Sequence, residues 1–310
     1  MPRYSVLCLV AAATVSVIAG GSPPRAAAQG RDYSKVQMVP TPLRGGITML
    51  AGAGGNLGVS VGDDGVLVID DQFAPLAPKI QAAIKTLSTK PIRFLVNTHF
   101  HGDHTGGNVA MHDAGAIIVA QENVRKRLST EQFNAAFKDT THAAPHAAWP
   151  VVTFADSLTF HWNGQTVRVL HVKPAHTDGD AILYFAEANV IHAGDTFFNG
   201  LYPFIDVSSG GSIDGMIAAD DAILAMANAD TQIIPGHGPL GDVKSLRVFR
   251  DMLATVRDRL APLVASGKEL KDILAAKPLA DLDAQWGHGF LKTDDFVEIE
   301  YIDLKEHAKR

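Results

Sequence analysis

The spacing of apolar and polar positions changes period repeatedly along this chain, and each change marks an element. Residues 47–50, 57–61 and 66–69 are short β-rich runs, the last two joined by the turn sequence Gly62-Asp63-Asp64-Gly65. At 77–87 the period shifts to that of a helix, with Ile80, Ala83, Ile84 and Leu87 on one side. The largely apolar run 92–96 then has the length of a buried strand. Further on, 116–120 reads as a strand and 123–128 as the start of a helix. Residues 130–149, with Pro145 and scattered Ala and His, show no period and read as a loop or lid. Runs 157–162 and 166–172 flank Asn163-Gly164, the sequence of a tight hairpin turn. Strands are expected at 182–185, 190–192 and 232–234. Helices are expected at 212–226, where Ser212 can cap, and at 243–264, where Pro262 should end or kink the run.

Strands and helices alternate with evenly spread turns, which predicts a single α/β domain over residues 46–310 with sheet inside and helices outside. Residues 29–45, with Pro40 and Pro42, read as a polar lead-in. The first residues differ: Arg3, an apolar run at 6–19, a Gly/Ser/Pro break, then Ala26-Ala27-Ala28. That order is a secretory signal peptide over residues 1–28, and it predicts a periplasmic or secreted protein. The apolar run is short for a membrane span and no other stretch reaches eighteen apolar residues, so no stable membrane anchor is expected after cleavage.

Composition narrows the chemistry. Cys8 is the only cysteine in the chain, so cleavage leaves no thiol; any metal must be held by histidines and carboxylates. The net charge of −6 becomes −8 once Arg3 and Arg25 are removed. An acidic surface without basic runs argues against a nucleic-acid partner and leaves a small molecule as the expected one.

Candidate ligands are concentrated in one place. In Asn97-Thr98-His99-Phe100-His101-Gly102-Asp103-His104, four ligand-type residues fall within six positions, directly after a predicted strand. His99 and His101, two apart on an extended segment, point the same way and can reach one ion. Asp103 and His104 fall beyond the bend and can serve a second ion or the water between the two. His176, Asp195 and His237 each lie just past another predicted strand, beside Gly or Pro that turns the chain there. His192, two residues before Gly194, alternates away from the Asp195 side and reads as packing. His112, His142, His146, His161, His171, His288 and His307 have no partner spacing, although His142 or His146 can enter the site if 130–149 is a lid.

Taken in order, Thr98 to His104, His176, Asp195 and the Pro-Gly-His-Gly turn at His237 resemble the metallo-β-lactamase superfamily, over nearly all of residues 45–310. The resemblance implies an αββα sandwich with a binuclear metal site along one edge. One metal would be held by His99, His101 and His176, the other by Asp103, His104 and His237, with Asp195 reaching the second metal or bridging both. Asp70 resembles the family's buried acid that orients a ligand or the loop. Two zinc ions are the simplest occupants, with iron or manganese also suited to seven nitrogen and oxygen donors. The implied chemistry is hydrolysis of an amide, ester, lactone or thioester by a metal-bound hydroxide, with Asp103 as the catalytic acid/base.

The surroundings look most like exported bacterial members related to the B1 β-lactamases. Two departures separate the chain from those enzymes: Asp195 stands where they carry a metal-binding cysteine, and Phe198 where they usually carry a lysine for the antibiotic's carboxylate. Weak β-lactamase activity, thioesterase and lactonase activity are all compatible with this pattern. The alternatives are an iron-dependent redox enzyme of the persulfide dioxygenase kind and a non-enzymatic binding module.

Overall fold

The computed structural model describes residues 32–307. The expected signal peptide and Cys8 lie outside the described residues. Within them, two sheets are built in succession along the chain.

The first sheet contains β1 (Val39–Pro42), β2 (Ile47–Ala51), β3 (Leu57–Gly62), β4 (Gly65–Ile69), β5 (Ile92–Val96), β6 (Ile117–Gln121) and β9 (Val152–Phe154), in that spatial order. Its first four strands form an antiparallel meander, after which β4, β5, β6 and β9 run parallel. Between β6 and β9 the chain forms a separate hairpin of β7 (Gln132–Asn134) and β8 (Asp139–Thr141). The second sheet is β10 (Ser157–Trp162), β11 (Gln165–His171), β12 (Ala181–Phe185), β13 (Val190–Phe198), β14 (Gln232–His237) and β15 (Gly241–Asp242). Here β13 and β14 are the parallel pair.

Nine helices among the described residues accompany these sheets: α1 (Ala77–Leu87), α2 (Gly102–Thr105), α3 (Asn108–Asp113), α4 (Glu122–Leu128), α5 (Ile213–Met226), α6 (Val243–Ala265), α7 (Leu270–Ala276), α8 (Asp283–Trp286) and α9 (Thr293–His307).

Side-chain alternation along the strands accounts for the layering. On β4, Leu67 and Ile69 meet Val167, Leu183 and Phe185 of the second sheet, and these form the apolar layer between the sheets. Val66 and Val68, on the opposite face of β4, pack with Ile80 and Ile84 of α1 and Met111 of α3. The outer face of the second sheet, including Ile182, Ile191 and Ile233, packs under Met216 and Ile223 of α5 and Phe249 and Leu253 of α6. The result is the αββα sandwich.

Most expected elements fall within a few residues of their observed bounds, and Ser212 caps α5 by accepting from the Gly215 N–H. Three differences have physical causes. Residues 39–42, inside the expected lead-in, form edge strand β1; prolines are tolerated there because an edge needs ladder bonds on one side only. Pro262 lies in the last turn of α6, and the helix runs on to Ala265 before it ends. The segment without a period, 130–149, holds the β7–β8 hairpin, a separate two-stranded sheet whose strands of three residues are too short to set a period.

Candidate metal centre

The parallel strands β4 and β5 of one sheet, and β13 and β14 of the other, carry the site at their carboxyl ends. Two cross-sheet backbone bonds hold those ends together: Ala181 N–H to Thr98 O at 2.9 Å and Asn56 N–H to Gly236 O at 2.7 Å. His99 lies two residues past Thr98's neighbour Asn97, beyond β5, and His101 is the N-cap of α2, which places Asp103 and His104 in a single helical turn. His176 sits in the loop between β11 and β12. Irregular register in β13 on both sides of Gly194 accompanies the placement of Asp195, and His237 ends β14.

All seven residues singled out from the motifs converge. His99, His101 and His176 offer ligand atoms within 4.8 Å of one another; so do His99, His104 and Asp195, and so do Asp103, His104 and His237. Asp195 stands between the two outer groups. Its Oδ1 lies 3.0 Å from His104 Nε2, and its Oδ2 lies 3.3 Å from His237 Nε2, 3.5 Å from His176 Nε2 and 3.9 Å from His99 Nε2. Asp103 Oδ2 is 3.3 Å from His237 Nε2, and this carboxylate is partly open to solvent.

The hydrogen bonds behind the histidines fix which nitrogen faces inward. Asp70 Oδ2 accepts from Thr98 Oγ1, so the hydroxyl's lone pair is left to accept from His99 Nδ1, 3.1 Å away. His101 turns Nε2 to Asp206 Oδ2 at 3.0 Å, His176 turns Nδ1 to Phe204 O at 2.6 Å, and His104 turns Nδ1 to Asp70 Oδ2 at 2.8 Å. The inner atoms are therefore His99 Nε2, His101 Nδ1, His176 Nε2 and His104 Nε2. His99 Nε2 is fully buried with no hydrogen-bond partner, and His101 Nδ1 lies 2.8 Å from His176 Nε2. Converging ring nitrogens with their outer N–H groups already engaged are the donor set a divalent cation takes.

Electrostatics divides the cluster in the same way. Burial, reinforced by neighbouring rings, holds His99 well below the usual imidazole range, and burial brings His176 down to about 4, so both are neutral lone-pair donors. On the other side burial opposes the charged rings, but Asp195 and Asp103 override it, raising His104 well above its ordinary value and His237 up to about 9. Asp103 and Asp195, despite burial, are held well below the carboxylate range by His104 and His237. Two ionised acids therefore draw positive charge to the Asp103, His104 and His237 side, which suits a cation there.

The supporting backbone is tight. A Cβ on Gly55 would lie 2.0 Å from His104 Cε1, and one on Gly236 would lie 1.9 Å from Asp195 Oδ1, so only glycine lets these strand ends approach the ligands. Asp70 and Gln72 hold positive φ angles of 59° and 56°, and residues 70–72 are all buried. Backbone of this kind persists where surrounding bonds over-determine it. Asp70 Oδ1 takes the Thr98 N–H, Asp71 Oδ1 the Gly107 N–H, and Gln72 Nε2 donates to Gly55 O.

Several supporting acids had no signal in sequence spacing. Asp206 takes His101 and also accepts from Ser208 Oγ at 2.7 Å. Asp180, which burial pushes up to about 7, accepts from the His176 and Thr177 backbone N–H groups and from Thr177 Oγ1. Of the other histidines, His192 lies buried between the sheets, with Nδ1 accepting from Gly194 N–H and Nε2 donating to Asn56 O. His142 pairs with Glu131, His146 packs on Trp149 and His171 donates to Asp180 O; none is in the ligand groups. Phe198 stacks on His237, with centroids 5.0 Å apart and planes 17° from parallel.

With this geometry, the chain belongs to the metallo-β-lactamase superfamily, whose family model matches residues 54–241. Its fold is similar to that of a metallo-β-lactamase from Pontibacter korlensis, with a TM-score of 0.58 at 20% identity, covering 70% of this chain and 99% of that one. Among curated proteins it is 30% identical over 146 residues to a hydroxyacylglutathione hydrolase of Nitrosococcus oceani, covering 46% of this chain and 47% of that one. It is 27% identical over 170 residues to the alpha subunit of a 2,4-dinitroanisole O-demethylase of Nocardioides sp., covering 53% and 47%. It is 24% identical over 238 residues to a linear primary-alkylsulfatase of Pseudomonas sp., covering 63% and 44%. These matches span about half the length of the curated relatives.

Proposed function

We propose that the chain is a metal-dependent hydrolase that holds two divalent cations, with zinc as the natural occupant of this donor set. The observation that carries the reading is the Asp195 carboxylate, set between an all-histidine group and an acid-rich one. His99, His101 and His176 would hold one ion, Asp103, His104 and His237 the other, and Asp195 would reach both. Bound there, the ions would supply a water of lowered pKa and a Lewis-acidic contact for a carbonyl, phosphoryl or sulfuryl oxygen.

The chain's own part is positioning and proton handling. Asp103 is ionised and partly exposed beside His237, so it can accept a proton from a nucleophilic water and orient it. His237 is held flat against Phe198, which covers one face of the reacting region with an apolar ring. A cation at Phe198's position would give a substrate carboxylate a charge-assisted contact of about 1.5–3 kcal/mol; a phenyl ring gives none. Neutral esters or thioesters are therefore favoured over anionic β-lactams. The hydrolase names of the alkylsulfatase and hydroxyacylglutathione relatives support this reaction class.

The test combines metal analysis with kinetics. Reconstitution of metal-free protein should restore two ions per chain together with ester or thioester hydrolysis. Asp103→Asn should lower kcat by about 100-fold or more, with a smaller change in KM, because what is lost acts in the transition state. One ion per chain, with affinity indifferent to Asp195→Ala, would overturn the two-metal reading. Faster turnover of a β-lactam than of any ester would overturn the substrate preference.

A further inference from the structure

The β7–β8 hairpin packs into neither sheet, yet it is fastened to the metal centre. The Ala135 N–H, at the hairpin turn, donates to Ser208 Oγ at 3.2 Å; Ser208 Oγ donates to Asp206 Oδ1 at 2.7 Å; and Asp206 Oδ2 takes the Nε2–H of His101 at 3.0 Å. The Asp206 carboxylate is thus the shared acceptor, taking the hairpin's bond through Ser208 on one oxygen and the candidate ligand His101 on the other.

Aromatic side chains follow the same route. Phe204 lies 5.7 Å from the His101 ring and 5.8 Å from the His176 ring, Phe137 of the hairpin turn lies 4.8 Å from Phe204, and Phe290 lies 5.7 Å from Phe137. Among the described residues, the aromatic side chains that stand exposed are Phe133 on β7 and Phe290. The cation nearest in sequence to the hairpin's base, Arg127, is engaged by both oxygens of Asp178 and by Gln132. Lys138 beside Phe137 is exposed.

A lone two-stranded hairpin is marginally stable, and here Phe137 and Phe204 are partly buried against the core while Phe290 is exposed, so the row of rings runs from the His101 and His176 side out to solvent. We propose that this hairpin is the outer wall of the substrate site, and that Phe137, Phe204 and Phe290 form a subsite for an apolar acyl or aryl group. The choice of substrate deepens, and rests on, the hydrolase reading; the existence of the subsite stands on the ring geometry.

The holoprotein and its Phe137→Ala and Phe137→Leu variants test this in two ways. Selectivity, as the ratio of kcat/KM for p-nitrophenyl octanoate to that for p-nitrophenyl acetate, should fall at least tenfold in Phe137→Ala and recover in Phe137→Leu. Binding of the neutral fluorophore N-phenyl-1-naphthylamine should weaken at least tenfold in Phe137→Ala and recover in the leucine variant. A probe affinity within twofold of wild type in Phe137→Ala overturns the subsite, whatever the esters do. If wild-type protein cleaves no ester but binds the probe in a Phe137-dependent way, the hydrolase reading fails and the subsite stands.

Discussion

Single side chains behind the candidate ligands decide how firmly the centre is held. Burial works against ionised Asp206, but its bonds from His101 and Ser208 prevail and hold it well below the usual carboxylate range. Asp206→Ala leaves the outer N–H of His101 without its acceptor, and partners of this kind are worth about 10–100-fold in metal affinity. Chelator competition on the reconstituted variant should show a loss of that size; an unchanged affinity would remove Asp206 from the centre. Sequence reading reached His99, His101, Asp103 and His104 because they crowd one strand end, and His176, Asp195 and His237 because each follows a strand beside Gly or Pro. It did not reach Asp206, Asp180 or Asp71. Asp206 and Asp71 meet a ring and a backbone group brought near by tertiary folding, so no spacing marks them, whereas Asp180 closes a local turn on His176 and Thr177 that the sequence carries without any ligand pattern to flag it.

Elements with a regular period and one buried face were legible, as α1 and β5 show: their observed bounds are those the pattern predicts. The β7–β8 hairpin was not, since its strands are three residues each with none of them fully buried. Helix α9 carries a different kind of hidden feature. Its Glu300 is fully buried with neither carboxylate oxygen hydrogen-bonded, and Asp303, three residues on, takes the Ile213 N–H at the start of α5. Burial, then the nearby Asp303 and Asp214, raise Glu300 well above the normal glutamate range. The folded chain thus binds this proton more tightly than the unfolded chain does. Its contribution to stability is full below the ordinary glutamate pKa and is lost as pH rises toward the folded value. Glu300→Gln should flatten that slope, raising Tm at pH 8 more than at pH 5, by about 2–4 °C for each kcal/mol gained. Calorimetry across pH 5–8 checks it; equal shifts at both ends would show that the carboxyl is not the cause.

At the scale of the whole molecule, two sheets share an inner apolar layer, and their outer faces are closed by helices. One hydrogen-bonding rim of the first sheet lies at β1. In its antiparallel register Val39 faces Ala51 and Thr41 faces Met49, while Pro40 and Pro42 alternate with them. Prolines have no N–H to give, so the ladder to β2 draws its donors from Val39 and Thr41, and the outward positions fall to the two prolines. A strand from another molecule arriving at this rim finds acceptors and no donors. The prolines that made the segment read as a lead-in thus act as insulation against sheet growth from chain to chain. Replacing both, as Pro40→Thr with Pro42→Thr, restores two outward N–H groups. Light scattering over a concentration series should then reveal self-association beyond that of the unsubstituted chain, and identical scattering from the two would show that the rim is guarded by something else.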